Sequence, residues 1–141
     1  MCETEGVDSK EIRLDTGTRT TTVDLTSEAV SFCARKGDGL LSIFVPHATA
    51  GVAIFETGAG TGTDVLEAVD RLLPADPSIW RHEHGTPGHG RDHVLPAFIS
   101  PSITIPVIQG TPALGTWQSI VLVDTNVDNP SRRVRLSFLP G

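Results

Sequence analysis

The sequence predicts an α+β domain, a mainly antiparallel β-sheet or sandwich carrying two or three short helices. Three observations lead there. The chain of 141 residues holds 14 glycines and 10 prolines, so turns are frequent and helices short. Seven apolar or alternating runs have strand length. Only two long segments carry apolar residues at helical spacing, and mixing such elements gives an α+β architecture.

Taken in order, residues 1–9 form a polar, flexible N-terminal tail and 10–141 a single domain. Residues 11–15 and 18–25 alternate apolar and polar around Thr16-Gly17 and predict a threonine-rich hairpin. Thr26 or Ser27 caps a helix to about Lys36, with Ala29, Val30 and Cys33 inward and Gly37 as its stop. Two strands follow, over 40–46 and 51–56, with His47–Ala50 at the bend. Thr63 then caps a helix to about Leu73, whose apolar stripe is Val65, Leu66, Val69, Leu72 and Leu73. Pro74 and Pro77 end it. The loop over 75–92 holds three of the five histidines, and loops of that length in compact domains are often functional. Strands over 102–108, 117–124 and 132–138 complete the chain.

The bulk chemistry excludes several functions. A net charge of −6, with only Arg132, Arg133 and Arg135 grouped, argues against nucleic acid, which demands a basic face. No apolar run approaches the ~18 residues of a membrane span. Residues 1–10 are acidic and do not form a basic, apolar signal segment, so no membrane partner and a cytoplasmic setting are expected. Cys2 in the tail and Cys33 in the first helix are expected as free thiols.

Histidine carries the first chemical signal. His47 stands at a strand end, His82 in the loop and His93 at the start of a helical turn. Imidazole is a common ligand of zinc and similar divalent metals, and three protein ligands with one open position is the pattern of a catalytic site. Solvated loop histidines fit the same spacing, as does the local pair His82 and His84. Glu56 and Asp64 carry the second signal, flanking the connector Gly58–Gly62. An exposed strand end and a helix cap are their alternative roles. The connector precedes a helix and could cradle an anion, but it lacks the lysine of a P-loop. The third signal is the run Gly110–Gln118. Trp117 and Gln118 there offer a flat ring and an amide to a pocket, or equally a hairpin with a core tryptophan.

Ser102–Val107, Gly110 and then Leu114-Gly115-Thr116-Trp117-Gln118 together resemble the signature of the YjbQ-like family of secondary thiamine-phosphate synthases. His47-Ala48-Thr49-Ala50 is similar to that family's H-T-[ST]-A, and Trp80-x-His82 to its Tyr-x-His. His93, Glu56 and Asp64 fall on its remaining matched positions, and the resemblance spans about residues 10–139. It implies an α+β homotrimer with sites near subunit boundaries. It also implies joining of a pyrimidine pyrophosphate to a thiazole phosphate, with loss of pyrophosphate. Under that resemblance His47, His82 and His93 hold a divalent metal, zinc being the ion three imidazoles favour, and the partner is a phosphorylated small molecule. Glu56 and Asp64 are the catalytic carboxylates, while Thr49, Trp117 and Gln118 contact substrate. His84 and His89 are expected not to ligate. Phe55, His89–Asp92 and Pro96 depart from the family's pattern beside the expected pocket, which points to a different substrate. A metal-dependent hydrolase of a phosphate or amide bond, or a non-catalytic trimeric ligand-binding protein, are the alternatives.

Overall fold

The structure, a computed structural model, describes residues 6–141. Met1–Glu5, and with them the expectation for Cys2, lie outside the described residues. The first strand, β1 (Asp8–Asp15), opens within the stretch read as a tail.

Among the described residues all strand pairing is antiparallel, in two sheets. β1 pairs with β8 (Ser131–Pro140), from Asp8 opposite Phe138 to Asp15 opposite Ser131. β8 pairs on its other side with β3 (Gly39–Phe44), which pairs with β5 (Ser102–Ile108) and so to the short β6 (Thr111–Pro112). The second, three-stranded sheet places β7 (Ser119–Asp124) between β2 (Thr21–Asp24) and β4 (Ala50–Phe55).

The expected hairpin over 11–25 does not form. Alternation marks a strand with one buried face but does not choose its partner. Between β1 and β2 the chain leaves one sheet for the other. Asp15 accepts from the Gly17 amide, and the Thr16 hydroxyl donates to Asp124 on β7 at 2.8 Å.

Helix α1 (Thr26–Cys33) stops short of Lys36, because Ala34 is already extended and Arg35 adopts a positive φ of 66°. Its first amide is capped by Asp24, two residues before the expected Thr26, whose hydroxyl instead accepts from the Ile120 amide. Helix α2 (Thr61–Leu72) begins two residues before the expected cap, after Gly60 in the left-handed region. Helix α3 (Gly90–Val94) runs into a 3-10 turn, Leu95–Ala97, that accommodates Pro96 near its start.

The main core lies between the inner face of the five-stranded sheet, α1 and one face of the three-stranded sheet. Leu41, Ile43, Val134 and Leu136 meet Leu25, Ala29, Val52, Ile120 and Leu122 there. A second cluster, Val69, Leu73, Leu95 and Val123, seats α2 and the α3 segment on the opposite face of β7. Covered on both faces, β7 reads as the unbroken apolar run Ile120–Val123 instead of an alternation. Burial of each such side chain contributes roughly 1.5–3 kcal/mol, so β7 is a rigid reference for whatever hangs from its ends. Gly51 brings the segment after α3 against β4: a Cβ there would lie 2.0 Å from the Ile99 carbonyl oxygen. The Val52 amide donates to Ser100 O beside it at 2.8 Å.

Candidate metal centre

The register of β4 on β7 divides the residues singled out by sequence. Ala50 lies opposite Asp124 at one end and Phe55 opposite Ser119 at the other. Five residues of antiparallel strand separate the ends by about 17 Å. His47, Thr49 and the loop residue Thr125 belong to the first end. Glu56, Trp117 and Gln118 belong to the second.

Beyond the first end stands a group of imidazoles. The loop after α2 is pinned where the Trp80 indole donates to Pro74 O at 2.8 Å, with its ring packed in the second core cluster. Two residues on, His82 turns toward α3. His89 and His93 are one helical turn apart and so project on the same side. The Arg91 guanidinium binds Asp70 and the Leu73 carbonyl and thereby ties α3 to α2.

His82, His84 and His93 offer ring nitrogens that all lie within 4.8 Å of one another. The His82 ring centroid is 3.9 Å from that of His84 and 4.1 Å from that of His93. His89 closes the cluster, its Nε2 lying 3.0 Å from His93 Nε2. Its Nδ1 faces the Asp92 carboxylate at 3.0 Å and the Asp128 carboxylate at 3.3 Å. Asp92 is itself buried and accepts from the Thr125 hydroxyl at 2.6 Å. Thr86 binds Asp128 through both its amide and its hydroxyl.

Electrostatics favours the uncharged form of His82 and His93. Burial, followed by the neighbouring imidazoles, pushes His82 and His93 below the ordinary histidine range. Burial pushes the Asp92 carboxyl up, against hydrogen bonds and charges from Thr125, Arg91 and His89. Neutral imidazoles present lone pairs, the form a metal requires. Within the cluster His82 Nδ1 is buried and has no hydrogen-bond partner among the described residues. An unpartnered buried nitrogen is costly, and a metal ion is the partner that this donor set fits.

His47 stands outside this group. Its Nε2 accepts the Arg133 backbone N–H at 2.9 Å, which places the proton of the neutral ring on Nδ1. The residue that the structure sets beside His82 and His93 is His84, expected not to ligate. Thr49 is buried and its hydroxyl accepts from Arg132 at 2.8 Å. At the far end, Glu56, Thr57 and Trp117 line a cleft of about 380 Å³. Gln118 closes the preceding turn by accepting from the Gly115 amide at 2.8 Å and does not line that cleft. Asp64 is exposed on the first turn of α2. Sequence reasoning missed His89, Asp92, Thr125 and Asp128. The available signal was the i,i+4 spacing of His89 and His93, legible only once the helix is known to start at Gly90.

The fold and this arrangement define a YjbQ-like protein. The description of that family, UPF0047 protein YjbQ-like, matches residues 10–141, and the chain belongs to it. A UPF0047 protein of Mycobacterium tuberculosis is 57% identical over 135 residues, covering 96% of this chain and 100% of that protein. One from Archaeoglobus fulgidus is 32% identical over 130 residues, covering 92% and 99%. A crystal structure from Sulfolobus solfataricus superposes with a TM-score of 0.88 at 25% identity, over 96% of this chain and 99% of that one. It is described as a YbjQ-like protein of unknown function. These findings correct the expectation of a thiamine-phosphate synthase. The relatives are designated by family alone, and none of those designations names that activity.

Proposed function

We propose that this chain is a metal-binding protein in which His82, His84 and His93 hold one divalent ion of the zinc class. The supporting observation is the convergence of three imidazoles, one with a buried nitrogen that has no hydrogen-bond partner among the described residues. Three nitrogen ligands leave a position for an oxygen ligand, and such an ion supplies Lewis acidity and neutralises phosphate charge. The partner in this reading is a phosphorylated small molecule. The chain's own part is to hold the rings. Trp80 anchors the loop, Arg91 fixes α3 on α2, and Asp92 with Thr125 sets the orientation of the helix that bears His93.

Metal analysis of the purified protein tests this. One zinc-class ion per chain is expected, lost in His82→Ala, His84→Ala and His93→Ala and retained in His47→Ala. A protein that takes up no zinc on titration, or loses none in the three variants, overturns the reading.

A homotrimer in a cytoplasmic setting belongs to the same proposal. No helix among the described residues is long and apolar enough to cross a membrane. Support for self-association comes from an apolar groove of about 240 Å³ where Leu72 and Phe98 stand exposed. Light scattering that reports a monomer at micromolar concentration would sink the trimer without touching the metal site.

A further inference from the structure

Resting on the metal reading above, we propose that His89 is an exchangeable fourth ligand, which closes the coordination shell through Nε2 until an oxyanion displaces it. The argument begins at the other ring nitrogen. His89 Nδ1 faces two carboxylates, Asp92 at 3.0 Å and Asp128 at 3.3 Å, and so carries the proton. That leaves Nε2 as the ring nitrogen available to a metal. It lies 3.0 Å from His93 Nε2. A single proton bridges two such nitrogens at that distance, and a divalent ion is the other cation that can stand between them.

A divalent ion satisfies both. Ligand nitrogens about 2.0–2.1 Å from a tetrahedral zinc lie about 3.3 Å from each other, so the pair needs to open by only a few tenths of an ångström. The rings agree. Four imidazoles around one such ion place their centroids about 5 Å apart. His89 lies 4.8, 5.6 and 6.2 Å from His93, His82 and His84, and its plane stands at 88° to that of His93.

Its side chain is only 8% exposed, which leaves water little room to compete for Nε2. The tether is one-sided, because the carboxylates grip only Nδ1. The ring can therefore withdraw from an ion by a small rotation without losing its hydrogen bond. An anion entering the same position would complete the shell in its place.

The cobalt(II)-loaded protein supplies the test through its visible absorption, with inorganic phosphate as the added oxyanion. The wild type is expected to show an intense four-coordinate spectrum that changes on phosphate addition. His89→Ala, and His89→Gln should the smaller side chain compromise folding, are expected to bind one cobalt with an altered starting spectrum. They should also respond to phosphate at a concentration lower by roughly tenfold, since no protein ligand must first be displaced. Variants whose cobalt spectrum and phosphate response match the wild type overturn the proposal for His89 while leaving the three-histidine site standing. A wild type that binds no cobalt overturns both.

Discussion

Arg132 donates from Nε and Nη2 to the two carboxylate oxygens of Asp124, at 2.7 and 2.9 Å, and both side chains are only 1% exposed. The pair ties β8 of one sheet to β7 of the other. Further hydrogen bonds brace the pair: Asp124 accepts from Thr16 and the Asn126 amide, and Arg132 donates to Thr49. It stands beside His47 on one side and, through the adjacent Thr125, reaches Asp92 on the other.

Removing one member leaves a buried charge unmatched. Arg132→Ala is expected to cost about 3–5 kcal/mol, read from denaturant unfolding. Arg132→Lys should recover little, because an ammonium cannot repeat the two parallel bonds of a guanidinium. A loss below about 1 kcal/mol in the alanine variant would show the pair to be dispensable.

His47 gives the protein an acid sensitivity of known sign. Burial, then the nearby Arg132 and Arg133, hold its imidazole below the ordinary value of 6.5, against a smaller opposing pull from Asp124. The unfolded chain therefore takes up this proton first as the pH falls. Stability is present above about pH 6.5, drops as the pH falls below it, and levels once the folded imidazole also protonates and surrenders the Arg133 amide. The melting temperature of His47→Gln should fall less steeply over that window than that of the wild type. Parallel curves would remove His47 from the account.

How much of this was legible depends on the kind of signal. The strand over 102–108 stands where its run placed it, and of the α2 stripe Val69 and Leu73 bury and Val65 and Leu66 partly bury as the spacing required, whereas Leu72 stands exposed. Partner choice was not legible. The run over 18–25 alternates in a way that fits a hairpin with β1, yet the pairing is decided by β7, a strand almost a hundred residues later. The site shows the same limit. His82 and His93 were visible as histidines in a loop and a turn, but their neighbour depends on how the loop folds over α2. His84 joins them and His47 does not. Nor could spacing show that two carboxylates, Asp92 and Asp128, would converge on His89 from elements more than thirty residues apart.

That loop path rests on Gly88. It has a φ of +84°, and a Cβ there would lie 2.3 Å from the Ala75 carbonyl oxygen. Gly88→Ala must strain the backbone or push the loop off the end of α2, moving the adjoining His89. The expected result is a loss of about 1–3 kcal/mol and weaker zinc binding. Gly58→Ala, where a Cβ meets nothing within 4 Å, is the matched control and should alter neither. Equal zinc affinity in the two variants would mean that the histidines do not depend on this close approach.

The two tryptophans separate core from surface. Trp80 packs in the second cluster and donates its indole N–H to Pro74, whereas Trp117 is 74% exposed along the cleft with Glu56. Trp80→Ala removes a large ring from a packed site and leaves the Pro74 carbonyl without its donor, so a cost of about 3–5 kcal/mol is expected. The loop that presents His82 should loosen with it, and zinc binding should weaken. Trp117→Ala removes a ring that mostly meets water, and its cost should stay within about 0.5 kcal/mol. Zinc content should be unchanged there, because β4 and β7 place that cleft at the opposite end from the imidazoles. Denaturant midpoints and metal analysis on both variants decide the matter. A Trp117→Ala protein as destabilised as Trp80→Ala would mean that the ring is covered in solution, by a neighbouring chain or by a closure of the Thr116 turn.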